Sequence, residues 1–304
     1  MTEFISATGE LLKIRYGPML GFAVLSILTV LIIWGIRLLL VRTRVIPAVT
    51  NPSRRSLRTD LVYLITAPVT EVFSRTAMVF ALILAAWIGG HHLSPQLFSG
   101  FGPVIEQPRW LIIGEVLIFS DFVYYWVHRA AHTFPALWRF HAVHHSTEHL
   151  RWPSALRAHP VEVYLHVVIA LPLFLVGFPL DVLAGILAVS GFYSFWIHTN
   201  VNIAPGRLRY VLNSPRFHAW HHQRDVKDGT VNYGAFFPLF DALFGTFKLP
   251  DRLPPDFGLD DPTTLKVPED FLGQLRYPFR RLKQSPAEPT SVAGSVAPCP
   301  ETEH

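Results

Sequence analysis

DFVYYWVHRAAHTFPALWRFHAVHH, residues 121–145, decides how this chain folds. Its histidines recur at spacings of three and four, at His128 and His132 and again at His141, His144 and His145. On an α-helix, residues three and four apart share a face, so the stretch reads as helices that present imidazoles to a common spot. Toward the C-terminus the pattern returns in HAWHH, with His218, His221 and His222. Eight imidazoles in three clusters, within a chain of 304 residues and 15 histidines, are ligand spacing more than scattered capping or core histidine. Imidazole is the commonest metal ligand at neutral pH, so the clusters predict a metal site.

The surroundings of that stretch place the site in a membrane. Half of the residues are apolar and 16% are charged, and the mean hydropathy of +0.32 is too apolar for an ordinary soluble domain of this length. Between Arg15 and Arg37 lie 21 uncharged residues, enough to cross a hydrocarbon core of about 30 Å. Charged residues precede this segment and no small-residue cleavage site follows it, so it is expected to stay attached. A second apolar stretch, Leu61 to Ile88, is broken by Glu71 and Arg75, placed to pair across one helical turn, and its first half is expected at the interface. A third, Trp110 to Val127, carries Glu115 and Asp121, and charges inside a span face the protein interior and function. Val163 to Leu180 and Val182 to Ile197 follow, divided by GFPLD around Pro179, as a re-entrant hairpin or as two crossings.

The expected fold is all-α, an integral membrane bundle of about three to five membrane helices under a cytoplasmic, histidine-rich helical cap. Residues 1–60 read as an N-terminal membrane helix with a basic connection, 61–250 as the membrane-embedded core, and 251–304 as a cytoplasmic segment with a disordered tail. That tail, from about Ser285, is rich in Pro, Ala, Ser, Thr and Glu and contains the lone Cys299, so no disulfide framework exists. Orientation follows from the arginines. Arg37, Arg42, Arg44, Arg54, Arg55 and Arg58 fill the connection after the first span, whereas Gly89 to Pro108 holds no Lys or Arg. By the positive-inside rule the first connection is cytoplasmic, and tracing the spans onward delivers all three clusters to that same face.

A net charge of +4 raises nucleic acid as a partner, but the basic residues sit beside spans, where anionic headgroups and topology account for them. Nucleic acid is excluded as a partner. GxGxxG, GxSxG and HExxH are all absent, which removes the usual signatures of nicotinamide binding, of an elbow-type serine hydrolase and of a zincin protease. Eight or more imidazoles exceed the four ligands of one structural zinc, so a pair of transition-metal ions is the simplest reading. Two redox-active irons would activate oxygen, yet affinity alone does not select iron, because zinc binds nitrogen sites more tightly. Two other classes use clustered histidines. A zinc-dependent membrane hydrolase would show three ligands and a glutamate base, and a metal transport or storage protein would place ligands along a path within the spans.

Taken together, DFVYYWVHRAAH, WRFHAVHHSTE, ALRAHPVE, FWIHTN, SPRFHAWHH and NYGAFFPLFDALFGTF, within Asp121 to Phe247, resemble the fatty acid hydroxylase and sterol desaturase superfamily. The resemblance implies a membrane oxidoreductase with a histidine-bound di-iron centre, two Fe ions that zinc can replace. It implies a lipid substrate of sterol, fatty acyl or ether-lipid class, hydroxylated or desaturated with O2. Electrons would come from a separate ferredoxin, cytochrome or reductase. HHSTE, FWIHTN and NYG lean toward the ether-lipid monooxygenase and bacterial sterol-desaturase-like branch. His128, His132, His141, His144, His145, His218, His221 and His222 match the family's eight core ligands, His198 matches a further one, and His159 stands where some branches carry histidine.

Other residues are candidates for supporting roles. Asp121, two helical turns before His128 on the same face, is placed either to receive a ligand N–H or to pair with Arg129 or Arg139. Glu148 and Asn232 are further candidates, against a solvated loop acid and a turn asparagine. His149 and His166 lack cluster spacing, and His91 and His92 fall on the opposite side. Tyr124, Tyr125 and Trp126 read as an interface belt. Gly191 to Trp196, just before His198, is the expected wall of a lipid path to the metals.

Overall fold

The structure, a computed structural model, describes residues 53–88, 99–224, 230–259 and 266–280. The expected first span, the loop at 89–98 with His91 and His92, and the C-terminal tail lie outside these residues. The described residues are helical and contain no strand, only an isolated bridge between Gln223 and Phe257. The chain order is α1 (Arg54–Ile88), α2 (Arg109–Thr133), α3 (Pro135–His145), α4 (Tyr164–Val176), α5 (Leu180–Ile197), α6 (Pro215–His221), α7 (Leu239–Leu243) and α8 (Phe271–Arg276). Short 3-10 turns join several of them, including Pro160–Val163 just before α4.

Pro135 and Pro215 each open a helix, at a position where the missing N–H costs nothing. At Ser214 the side chain also accepts from Phe217 N, so α6 starts in a fixed register and its histidines point where the cap sets them. α2 and α5 both run from an ion pair between Arg109 and Asp181 toward the histidines. α1 and α4 run the other way, with Asp60 and Glu162 near their histidine ends. The bundle thus has a histidine end and a far end. At the far end the α4–α5 turn closes on the segment before α2, where Phe101 N donates to Gly177 O. Gly177 has φ +105°, and a Cβ there would sit 2.4 Å from Phe101 O, so only glycine lets the two segments meet.

The main core lies between these four helices. Met78, Leu82, Ile112, Val116, Leu173, Phe174, Leu183 and Ile186 are buried together there. The opposite faces of the same helices are apolar and exposed: Val69 is 72% accessible, Trp87 72% and Trp110 73%. A belt of that extent in water would be an aggregation hazard, whereas against lipid it matches its surroundings. α2, with 25 residues, and α5, with 18, are long and apolar enough to cross a membrane. α4 has 13 residues, about 20 Å of helix, and is too short to span the hydrocarbon core alone. Residues 61–88 lie within one 35-residue helix, Arg54–Ile88, and the 60/61 domain boundary falls inside it. Residues 266–280 pack back on the core: Val267 and Tyr277 are buried with Tyr63, Ala142 and Val143.

Candidate metal centre

Nine histidines converge at the histidine end, and they sort into two groups. His128 and His132 from α2, His141 and His145 from α3 and His221 from α6 form one, and His144, His198, His218 and His222 form the other; within each group the ligand atoms lie within 4.8 Å of one another. Helical periodicity explains the sorting. Residues i and i+4 are offset by about 40° around the axis, whereas i+3 lies about 100° from i+4. So His141 and His145 face one group while His144 faces the other, and His218 and His222 face the second while His221 faces the first. The groups adjoin, with the His145 and His222 rings stacked at 4.4 Å between centroids.

The donor atoms fit a cation. Nδ1 of His128 lies 2.8 Å from Tyr233 O, Nδ1 of His144 3.0 Å from Arg157 O, and Nδ1 of His198 2.7 Å from Ser194 O. A carbonyl only accepts, so each Nδ1 carries the hydrogen and each Nε2 is left as a bare lone pair. Nδ1 of His141 likewise meets the Glu162 carboxylate at 2.7 Å. Yet Nε2 of His128 faces Nε2 of His141 at 3.0 Å, and Nε2 of His198 faces Nε2 of His144 at 3.3 Å. Lone pairs facing at those distances repel unless something positive sits between them. With metal–nitrogen bonds of about 2.1 Å, the edges of octahedral and tetrahedral shells are about 3.0 and 3.4 Å, which brackets the contacts. The Nε2 atoms of His132, His145 and His221 are buried with no partner among the described residues, as ligand atoms would be.

Burial also sets the charge state. It pushes the His141 imidazolium down to about 3 and His144 down to about 4. It takes His145, His198, His218, His221 and His222 well below the ordinary histidine value. All are therefore neutral at physiological pH, the form that binds a metal ion.

A loop at 230–237 holds the first group from behind. Its Tyr233 and Val231 carbonyls receive Nδ1–H of His128 and of His221. Asp121 accepts the backbone N–H groups of Ala235, Phe236 and Phe237 at 2.8–3.0 Å. Asp241 accepts those of Tyr233 and Gly234 and the Thr246 hydroxyl. Asn232, at φ +61°, donates to Phe217 O and Lys248 O and so ties the loop to α6. In the second group, Arg157, whose carbonyl receives His144, is fixed by buried Asp60 of α1, which also binds Arg151.

Against the sequence expectations, the nine histidines other than His159 stand in the two groups. His159 lies outside both: its Nδ1 accepts from Val161 N and its Nε2 meets Leu275 O at 3.0 Å, so both ring nitrogens are engaged by backbone. Asp121 neither receives a ligand N–H nor pairs with an arginine. Seven residues of helix carry it about 10 Å from His128 along the axis, where it meets the loop instead. Glu148 is exposed and packs beside Gly258, and Asn232 is a turn asparagine with a stapling role. Tyr125 is no interface residue but fully buried, its hydroxyl bonded to Thr246 and Arg129. His149 stands outside both groups, and the side chains of His166, Glu71 and Arg75 lie outside the described set. A Cβ on exposed Gly191 would meet nothing within 4 Å, so that residue does not wall a narrow path. Glu162 is the functional residue that the sequence reading missed. Its only signal is its place in HPVE, far in sequence from the nine histidines of the two groups.

The comparisons with known proteins fall on the same region. Residues 113–246 match the fatty acid hydroxylase family model. That match covers under half of the chain, and it takes in every histidine of the two groups. Similar proteins include an ornithine lipid hydroxylase of Rhizobium tropici, 38% identical over 54% of this chain and 49% of its own length. The human alkylglycerol monooxygenase is 38% identical over 42% of this chain and 28% of its own. A very-long-chain aldehyde decarbonylase of Oryza sativa subsp. japonica is 31% identical over 50% and 59%. The chain thus spans about half the length of the ornithine lipid hydroxylase and less of the monooxygenase. No solved structure matches. The matched stretch begins within α2, contains both histidine groups and ends at Thr246, the partner of Asp241.

Proposed function

We propose that the protein is a membrane-bound non-haem di-iron oxygenase that hydroxylates or desaturates a lipid, with O2 as co-substrate. The observation that carries this reading is the set of facing, hydrogen-free Nε2 atoms in two adjoining groups, one for each ion. When bound, a pair of irons supplies O2 activation and the oxidation of an unactivated C–H bond, with electrons from a ferredoxin, cytochrome or reductase. The chain's own residues do the rest. His128, His132, His141, His145 and His221 would hold one ion, and His144, His198, His218 and His222 the other. Glu162 and the Tyr233, Val231, Arg157 and Ser194 carbonyls keep the hydrogen on Nδ1 and the rings aimed. Burial of the rings among tightly packed helices excludes water from the reacting region.

Both groups consist of histidine alone among the described residues. A zinc hydrolase would need a glutamate base free to act on water, and Glu162 is taken up by His141 and the His159 N–H. Transport is disfavoured because the groups sit together at one end of the bundle and not in a file along it. Arg54, Arg55 and Arg58 begin α1 at that same end, which supports a cytoplasmic site and a multi-pass topology. The test is reductant-dependent O2 uptake by the purified full chain in lipid nanodiscs, with mass analysis of the lipid. An oxidised lipid product is expected with iron and none with zinc. Equal turnover with zinc, or metal-dependent hydrolysis without O2 uptake, would overturn the proposal.

A further inference from the structure

Away from the histidines, the segment between α5 and α6 combines arginines with exposed apolar side chains. Ile203, Leu208, Tyr210, Val211 and Leu212 are each at least 40% accessible within ten residues. Among them lies a cavity of about 530 Å³ whose lining includes Arg207, Arg209, Tyr210, Arg216 and Asp251. Three guanidinium groups against one carboxylate leave the lining positive. Among the described residues Asp251 reaches only Arg216, at 3.4 Å, and its side chain is exposed. Arg216 is the inner member: its side chain is 15% accessible and its buried Nε has no partner among the described residues. The Arg209 guanidinium lies 5.1 Å from the Tyr210 ring centroid, which limits its freedom.

Depth in the membrane follows from the tether. Tyr193, in the last turn of α5, donates from its hydroxyl to Asn213 O, and Asn213 N donates to Phe236 O. The segment is therefore held beside the histidine end of an apolar helix, which on the topology proposed above is the cytoplasmic level where acyl chains give way to headgroups. Apolar side chains directed outward next to arginines that outnumber their one carboxylate suit that boundary. Guanidinium groups bind phosphate with two parallel N–H bonds. A cavity of this size accepts a phosphodiester and its substituent.

We propose that Arg207, Arg209 and Arg216 form a binding site for the phosphate of an anionic membrane phospholipid, distinct from the metal centre, with Leu208, Val211 and Leu212 in contact with the neighbouring acyl chains. The site docks the cap on the cytoplasmic leaflet and does not depend on the metal chemistry. The test uses the purified full chain in neutral detergent, titrated with phosphatidylglycerol or phosphatidylcholine and read by native mass spectrometry. Wild type should bind phosphatidylglycerol in preference to phosphatidylcholine. Arg207→Gln with Arg209→Gln should weaken phosphatidylglycerol binding by about twentyfold, and Arg207→Gln alone by about fivefold, with phosphatidylcholine unaffected. Metal content should be unchanged in the same samples. The pair Lys266→Gln with Arg276→Gln removes equal charge from exposed positions elsewhere and should have little effect. An equal loss in that control would assign the binding to general electrostatics and overturn the site. Displacement of phosphatidylglycerol by millimolar inorganic phosphate would make the ligand a free phosphate, and would overturn the lipid assignment.

Discussion

The five-histidine and four-histidine groups share a boundary, where the His145 and His222 rings stack, but they are held from behind by different chemistry. In the first group a carboxylate, Glu162, receives His141 directly, and the loop that receives His128 and His221 is pinned by Asp121 and Asp241. In the second group His144 and His198 rest on neutral carbonyls, one of them in α5 itself. A charged acceptor raises the basicity of an imidazole more than a neutral one does. The first group should bind its ion more tightly and keep its shape without it. The second group depends on a distant prop, because the Arg157 carbonyl behind His144 is fixed from α1 through Asp60.

The sharpest way to break that comparison is to remove the prop. Asp60 is 3% accessible and compensates Arg151 and Arg157, both buried. Asp60→Asn should destabilise the protein by about 3–5 kcal/mol in thermal or denaturant unfolding, the cost of stranding buried charge. In the fraction that folds, the metal of the four-histidine group should be lost first. Loss from the five-histidine group instead would reverse the assignment of supports. A milder effect is expected at Glu162. Glu162→Gln keeps an acceptor for His141 but removes the charge, and should weaken metal binding in the five-histidine group by about 10–100-fold. Chelator competition would read this as one metal released early, and two metals released together would contradict it. The smallest effect belongs to His159. His159→Gln should cost about 1 kcal/mol for its lost backbone contacts and leave metal content unchanged. A variant that loses one metal per chain would make His159 a ligand.

The contrast between the groups also shows where a sequence stops being readable. Spacings of four within HRAAH, HAVHH and HAWHH state which imidazoles share a face, because a helix repeats every 3.6 residues. They do not state which face meets which, so the joining of His144 to His198, His218 and His222 becomes visible only in the tertiary structure. His198 pairs with His144 across 54 residues, a long-range contact that no local period records. Asp121 is legible as a buried acid on the correct helix face, yet its partners are backbone N–H groups over a hundred residues away. Glu162 is invisible for the same reason. Residues that bind metals advertise themselves by type and spacing, whereas residues that aim them are ordinary acids whose role lies in tertiary contact. The apolar helices are legible from hydropathy, including the run from Leu61 to Ile88 that lies within one helix.

The proposal assigns one metal to each histidine group, and the metal count per chain tests this directly. Full chain loaded anaerobically with ferrous iron under low zinc should hold about two irons, and His128→Ala and His218→Ala should each hold about one. In the His218→Ala protein the remaining iron should be the more chelator-resistant of the two, because it sits in the group backed by Glu162. A wild-type chain saturating at one iron, or a His218→Ala chain that still holds two, would contradict a two-metal centre divided in this way.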